Sequence, residues 1–295
     1  MLRSPLPALE DREGDRIPPG LPPVVDAHVH LFPDELFASI RAWFDRHGWP
    51  IRYRPRAEET APFLLSRGVS RIVALCYAHR PGVSRGLNRF MARVAASEPR
   101  VIALATVFPG EPGAREILEE AFRSGLAGVK LHAHVQCVPV DAPATHEVAA
   151  ICGEHGKPLV FHAGREPRSP AYACDPHEIC GAAMVERLLR AHPGLRLCVP
   201  HLGMDEYLEH RRLLEAYDTL WLDTTMALAG YFPAPPPPPL ATFRSDRVLY
   251  GTDFPNVPYA WDRELKRLVE CGLPDRDLAR ILGGNALELF GAGPE

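Results

Sequence analysis

Eight short apolar runs alternate along this chain with longer segments of helical period, and that alternation limits the fold more than any single motif. The runs are VVDAHVH (24–30), RIVALCY (71–77), VIALATVF (101–108), LAGVKLH (126–132), PLVFHAG (158–164), LRLCVPHLG (195–203), LWLDTT (220–225) and RVLYGTDFP (247–255). Between most of them, over 57–67, 84–97, 113–123, 144–155, 178–191 and 205–217, apolar residues recur at spacings of three and four, as on one face of a helix. Continuous apolar strands separated by helices imply a parallel sheet covered by those helices. Eight such units with right-handed crossovers close most naturally into an α/β fold of the (β/α)8 TIM-barrel type. No strand leads into a GxGxxG or GxxxxGK[ST] loop, which argues against an open, doubly wound sheet.

One domain over 24–291 accounts for the whole pattern. Residues 1–23 carry six prolines and no apolar periodicity, and are expected to form an extended, proline-rich arm. The long link between the first two strands has room for a helix near 34–46 and a loop, and it contains Trp43 and Trp49. After the seventh strand comes a run of five prolines, 235–239, which favours a stiff polyproline II path at the rim of the barrel. It reads first as a rigid connector, with a pocket wall or a partner-docking segment as alternatives.

Composition narrows the setting. The chain is 46% apolar and 24% charged with a net charge of -4, and it has no block of Lys or Arg, so neither nucleic acid nor an anionic membrane is an expected partner. No apolar run approaches the roughly 18 residues of a membrane span, and the N-terminus lacks the apolar region of a signal peptide. Seven scattered cysteines without a CxxC pair read as reduced thiols and point to the cytoplasm.

The informative polar residues stand at the C-terminal ends of the strands, where a barrel places its active site. His28 and His30 close the first strand, Lys130 and His132 the fourth, His162 the fifth, His201 the sixth and Asp253 the eighth. In a strand, residues i and i+2 face one side about 6.5 Å apart, so the imidazoles of His28 and His30 can lean toward one ion at about 2 Å from each nitrogen. With His162 and Asp253 they make a set of three imidazoles and one carboxylate, suited to zinc or a similar divalent ion.

VDAHVH, GVKLH, FHAG, PHLG, YGTDFP and the closing ILGGNALELFG, in this order, resemble the amidohydrolase superfamily, in particular its amidohydrolase-2 branch of metal-dependent TIM-barrel hydrolases. The resemblance runs from about Val24 to Gly291. It implies a single divalent ion, zinc with manganese as the alternative, held by His28, His30, His162 and Asp253. It also implies that His201 orients or deprotonates a metal-activated water, with Asp253 as its catalytic partner. In binuclear relatives a strand-four lysine is carboxylated and bridges two ions. Lys130 is read here instead as an internal charge partner or substrate contact.

Substrate contacts are expected from the strand ends and the loops beyond them: Arg165, His132, Lys130, Tyr77 and Asn256. Arg165 is the leading choice, as a bidentate clamp for a carboxylate, against the plainer reading of a loop arginine paired with a nearby acid. His146, His155, His192 and His210 lie in helical patterns and are set aside. The leading function is metal-dependent hydrolysis of a small amide, ester or lactone that carries a carboxylate. The alternative is non-oxidative decarboxylation of an unsaturated or aromatic acid, and the third reading is a non-catalytic binding scaffold. The partner is a small-molecule substrate, and homo-oligomers are compatible with the fold.

Overall fold

The computed structural model describes residues 9–231 and 236–291. All eight runs contain a strand: β1 (Val25–His30), β2 (Arg71–Leu75), β3 (Val101–Ala103), β4 (Val129–His132), β5 (Leu159–His162), β6 (Leu197–Val199), β7 (Leu220–Asp223) and β8 (Val248–Leu249). Their ladders are parallel and run in sequence order, β1-β2-β3 and β4-β5-β6-β7-β8. Backbone hydrogen bonds join the two sheets on both sides. Ala105 N donates to Gly128 O (2.8 Å) between β3 and β4, and Ala27 N to Tyr250 O (2.9 Å) between β1 and β8. The sheet therefore closes on itself as a (β/α)8 barrel.

The strands read as near-continuous apolar runs because both of their faces are covered. On the outer face, Val29, Ile72 and Ala74 join a large cluster with the helices. On the inner face Val25, Ala27, Val73, Leu75 and Val160 form a smaller apolar layer closed by Phe290. The register of β1 shifts between Asp26 and Val29. Val25 and Ala27 therefore face inward low in the barrel, while higher up His28 and His30 take the inward places and Val29 turns outward. An irregularity of this kind re-aims a side chain, and here it does so at the polar mouth.

The helices are α1 (Asp34–His47), α2 (Ala57–Ser66), α3 (Ser84–Ser97), α4 (Ala114–Arg123), α5 (Ala133–Gln136), α6 (Pro143–Glu154), α7 (Pro176–Ile179), α8 (Ala182–Ala191), α9 (Tyr207–Ala216), α10 (Arg263–Glu270), α11 (Asp275–Ala279) and α12 (Asn285–Phe290). The single helix expected over 178–191 is split at Gly181, whose φ of 139° no helix accommodates. The sequence pattern missed α10 because its inward face buries the charged pair Arg263 and Glu264 beside Leu265 and Leu268, which hides the apolar period. Among the described residues, no helix is long and apolar enough to cross a membrane.

The described part of the N-terminal arm has no regular helix or strand and lies against the barrel, held largely through its own backbone. Trp261 Nε1 donates to Gly14 O (3.0 Å), Lys266 Nζ to Arg12 O (2.9 Å) and Ile17 N to Arg67 O (2.7 Å). The proline run begins outside the described residues. Its described part, 236–239, leads into a short 3-10 turn at Leu240–Thr242 and takes no part in the wall of the main cavity.

Candidate active site

His28, His30 and Asp253 meet at the C-terminal mouth of the barrel, each offering one ligand atom within 4.8 Å of the others. His28 Nδ1 lies 2.9 Å from Asp223 Oδ2. Asp223 also accepts from His201 N (3.0 Å) and Thr225 N (3.1 Å). Against the upward push of burial, His28 and these donors hold its carboxyl below the usual range. An ionised carboxylate only accepts, so His28 carries its proton on Nδ1 and leaves Nε2 as a bare lone pair.

That nitrogen is buried, has no hydrogen-bond partner among the described residues, and stands 3.3 Å from Asp253 Oδ1. His30 Nε2 is 3.1 Å from the same oxygen. Burial lowers the His28 pKa to about 4, with the charge of Lys130 acting the same way, so the imidazole is neutral near pH 7. A neutral His28 nitrogen left without a partner beside a carboxylate that His30 Nε2 also reaches is the donor set of a divalent ion, and the residues fit one.

The backbone is arranged to allow this. Asp253 and His201 adopt φ of 70° and 58°, a left-handed region that non-glycine residues seldom occupy and that clusters at functional sites. Gly251 is required by close approach, since a Cβ there would stand 2.4 Å from Thr225 Oγ1 and 2.8 Å from His28 Cβ. Below the mouth, Asp26 accepts from Thr252 N (3.1 Å) and Thr252 Oγ1 (2.6 Å), which fixes the turn that carries Asp253.

His162 ends β5 at the same mouth of the barrel, beside His201. It belongs to a second group, with His132 and Glu166. Its Nδ1 faces His201 Nε2 at 3.2 Å and its Nε2 faces Glu166 Oε1 at 2.9 Å. His201 links the two groups, with ring centroids 5.7 Å from His28 and 4.6 Å from His162.

A cavity of about 620 Å³ opens over both groups. Its polar floor includes His30, Asp253, His201, His162 and His132, and its walls include the aromatic residues Trp43, Phe44, Trp49, Tyr77 and Tyr172. Trp43, from α1, stacks on Tyr172, from the loop after β5, at 5.6 Å between centroids. Of the expected substrate contacts, Tyr77, His132 and Asn256 line this cavity, and Asn256 Oδ1 is buried without a partner among the described residues. Two do not line it. Arg165 turns away and pairs with Glu206 at 3.3 Å, because its backbone bridges to Met204 and directs the guanidinium toward the start of α8. Lys130 is fully buried inside the barrel, where Asp223 and Asp253 attract its ammonium while burial lowers its pKa to about 8.

Sequence reasoning did not single out Asp223 or Glu166. Asp223 ends β7 in LWLD, the same kind of position as the other polar strand ends, and was legible by that rule. Glu166 follows the strand-end His162 in a loop, where no periodicity marks it.

The amidohydrolase family model, Amidohydro_2, matches residues 25–292. The chain belongs to the amidohydrolase family. It is accordingly an enzyme of amidohydrolase type, from a family that depends on metal. Among solved structures, 5-carboxyvanillate decarboxylase from Novosphingobium aromaticivorans, complexed with manganese and a nitrobenzoic acid, is 16% identical with a TM-score of 0.62, over 96% of this chain and 99% of that one. 2,6-Dihydroxybenzoate decarboxylase from Rhizobium is 16% identical with a TM-score of 0.64, over 92% and 99%. A probable 2-pyrone-4,6-dicarboxylic acid hydrolase from Acinetobacter baumannii, with citric acid bound, is 16% identical with a TM-score of 0.59, over 91% and 99%. At this identity they share the barrel fold with this amidohydrolase. Comparison with curated protein sequences gives no match.

Proposed function

We propose that this amidohydrolase is a metal-dependent hydrolase of a small substrate that bears a carboxylate. The observation that carries the reading is the His28, His30 and Asp253 cluster at the floor of the cavity, with His28 Nε2 left proton-free by Asp223. Zinc suits this nitrogen and oxygen donor set, and manganese, present in the Novosphingobium structure, is the second choice. A divalent ion there would polarise a carbonyl and bring the pKa of a coordinated water from about 15.7 toward 7.

The chain's own residues supply positioning and proton transfer. His201 is oriented by Thr225 O, 2.8 Å from its Nδ1, and its Nε2, 3.2 Å from His162 Nδ1, is the ring atom placed for proton transfer at the cavity floor. Asp253, within reach of both cluster imidazoles, holds or passes a proton at Oδ1. The aromatic walls enclose a flat, unsaturated substrate, and Asn256 Oδ1 accepts from its N–H or O–H. Free thiols at all seven cysteines support a cytoplasmic setting.

Non-oxidative decarboxylation is the second reading, favoured by those same walls and by the decarboxylases among the structural neighbours. Isotope labelling separates the two. Turnover of a panel of aromatic lactones, amides and acids in 18O-water should place label in a product carboxyl group. Carbon dioxide release in heavy water with a new C–D bond would replace hydrolysis by decarboxylation.

A further inference from the structure

Two cysteines from different loops meet at the rim of the cavity. Cys137 closes α5, after β4, and is exposed, whereas Cys174 lies in the loop after β5 and is half-buried. Cys137 lines the main cavity, and Cys174 lines a smaller one beside it that shares Arg168 and Tyr172 with the first. Both Sγ atoms donate to the same acceptor, His134 O, at 3.5 Å each. They also bond to each other: burial, and then the hydrogen bond to Cys137, raise the Cys174 pKa to about 12.

The backbones that carry the two thiols are already tied together. Val140 N donates to Ile179 O at 2.9 Å, and within the second loop Arg168 Nε pairs with Asp175 Oδ2 at 2.7 Å. Thiols in hydrogen-bond contact, on segments joined in this way, need only a short movement to reach an S–S bond of about 2.0 Å. Cys137 also holds φ of 50°, a left-handed conformation at which a helix end ordinarily places glycine or asparagine. A cysteine gains nothing from that backbone, so what it contributes at this position is its sulfur.

We propose that Cys137 and Cys174 are a reversible thiol–disulfide pair, oxidised by a small-molecule disulfide of the glutathione class, which bridges the loops after β4 and β5 at the rim of the cavity. Exposure makes Cys137 the sulfur that such a molecule reaches. Its thiolate attacks one sulfur of the small disulfide, which forms a mixed disulfide and releases one small thiol. Cys174 then attacks Cys137 Sγ; the protein S–S bond forms as the mixed one breaks, and the second small thiol leaves. Two electrons pass from the cysteines to the small disulfide, and the two cysteine protons end on the two released thiols. Within the mixed disulfide Cys137 carries no charge, which removes part of what holds the Cys174 thiol protonated. The bond would pin Tyr172, two residues before Cys174, whose ring stacks on Trp43 in the cavity wall. The pair shares no residue with the His28, His30 and Asp253 cluster, and its oxidation does not depend on which reaction the enzyme catalyses.

The test places the reduced protein in buffers of fixed total glutathione and stepped oxidised-to-reduced ratio, quenches it by acid and alkylation, and maps peptides by mass spectrometry without reductant. Cys271, the other exposed cysteine, is the reference. Wild type should yield a peptide pair joined through Cys137 and Cys174 at a ratio about 10-fold or more below the one that attaches glutathione to Cys271, because the second thiol is already in place. Excess reduced glutathione should restore both thiols. Cys174→Ser should stop instead at a glutathione adduct on Cys137. A persistent adduct on Cys137 of wild type would overturn the proposal, as would bonding of either sulfur to another cysteine. So would both thiols still reduced at the ratio that modifies Cys271, and these outcomes are read on wild type alone.

Discussion

At the scale of single residues, the site depends on which nitrogen carries each proton, and Asp223 is the residue that decides this for His28. Its carboxylate fixes the tautomer at 2.9 Å while also taking the backbone N–H of His201. Asp223→Asn can turn its amide N–H₂ toward His28 and reverse the tautomer, so it should weaken divalent-metal binding about 10- to 100-fold, measured by competition with a chelating indicator. Unchanged affinity would remove Asp223 from this role. His201→Asn should keep its metal yet lower kcat by about 10²- to 10⁴-fold, because the proton acceptor rather than a ligand is lost. A variant that also loses metal would make His201 part of the metal site. The strand-end rule made His28, His30, His201 and Asp253 legible in the sequence. It could not say where each ring nitrogen points, because that follows from partners such as Asp223 for His28 and Thr225 for His201, which lie far along the chain, nor that Arg165 pairs with Glu206.

Among the elements, the eight strands and most helices followed from apolar periodicity, and the departures have local causes. The shift of register in β1 cannot be read from VDAHVH, since a regular strand with the same letters would keep Val25, Ala27 and Val29 on one face. The buried charges of α10 hide its period. Helix α9 carries a buried imidazole, His210, against the 3-10 turn at His201–Gly203 that positions the site. A Cβ at Gly203, where φ is 85°, would stand 2.1 Å from His210 Nδ1. Burial lowers the His210 pKa to about 4, so the folded state keeps it neutral while the unfolded chain protonates it near 6.5. The unfolded state then binds more protons between those values, and stability must fall as pH drops from about 6.5 toward 4, by up to ~3 kcal/mol from this group. Denaturant unfolding across that range should show a steeper acid limb in wild type than in His210→Gln. Parallel limbs would contradict the assignment.

On the scale of the whole molecule, the barrel is one continuous wall, but its ladders fall into a three-stranded and a five-stranded sheet. The two meet between β1 and β8 through a few backbone hydrogen bonds, among them His30 N to Phe254 O (2.7 Å) and Asp253 N to His28 O (3.0 Å). His28 and His30 come from one side of that junction and Asp253 from the other, whereas His132 and His162 both come from the five-stranded sheet. An ion at the first cluster would therefore act as a rivet across the barrel's closing seam, and its binding energy would count directly toward keeping the cylinder shut. Stripping the metal should speed amide hydrogen exchange in β1 and around Thr252 to Phe254 far more than in β4 and β5, and a uniform change along the chain would count against it. Chemistry and closure would then share one fastener, so that a chelator strong enough to silence the enzyme also begins to unroll it.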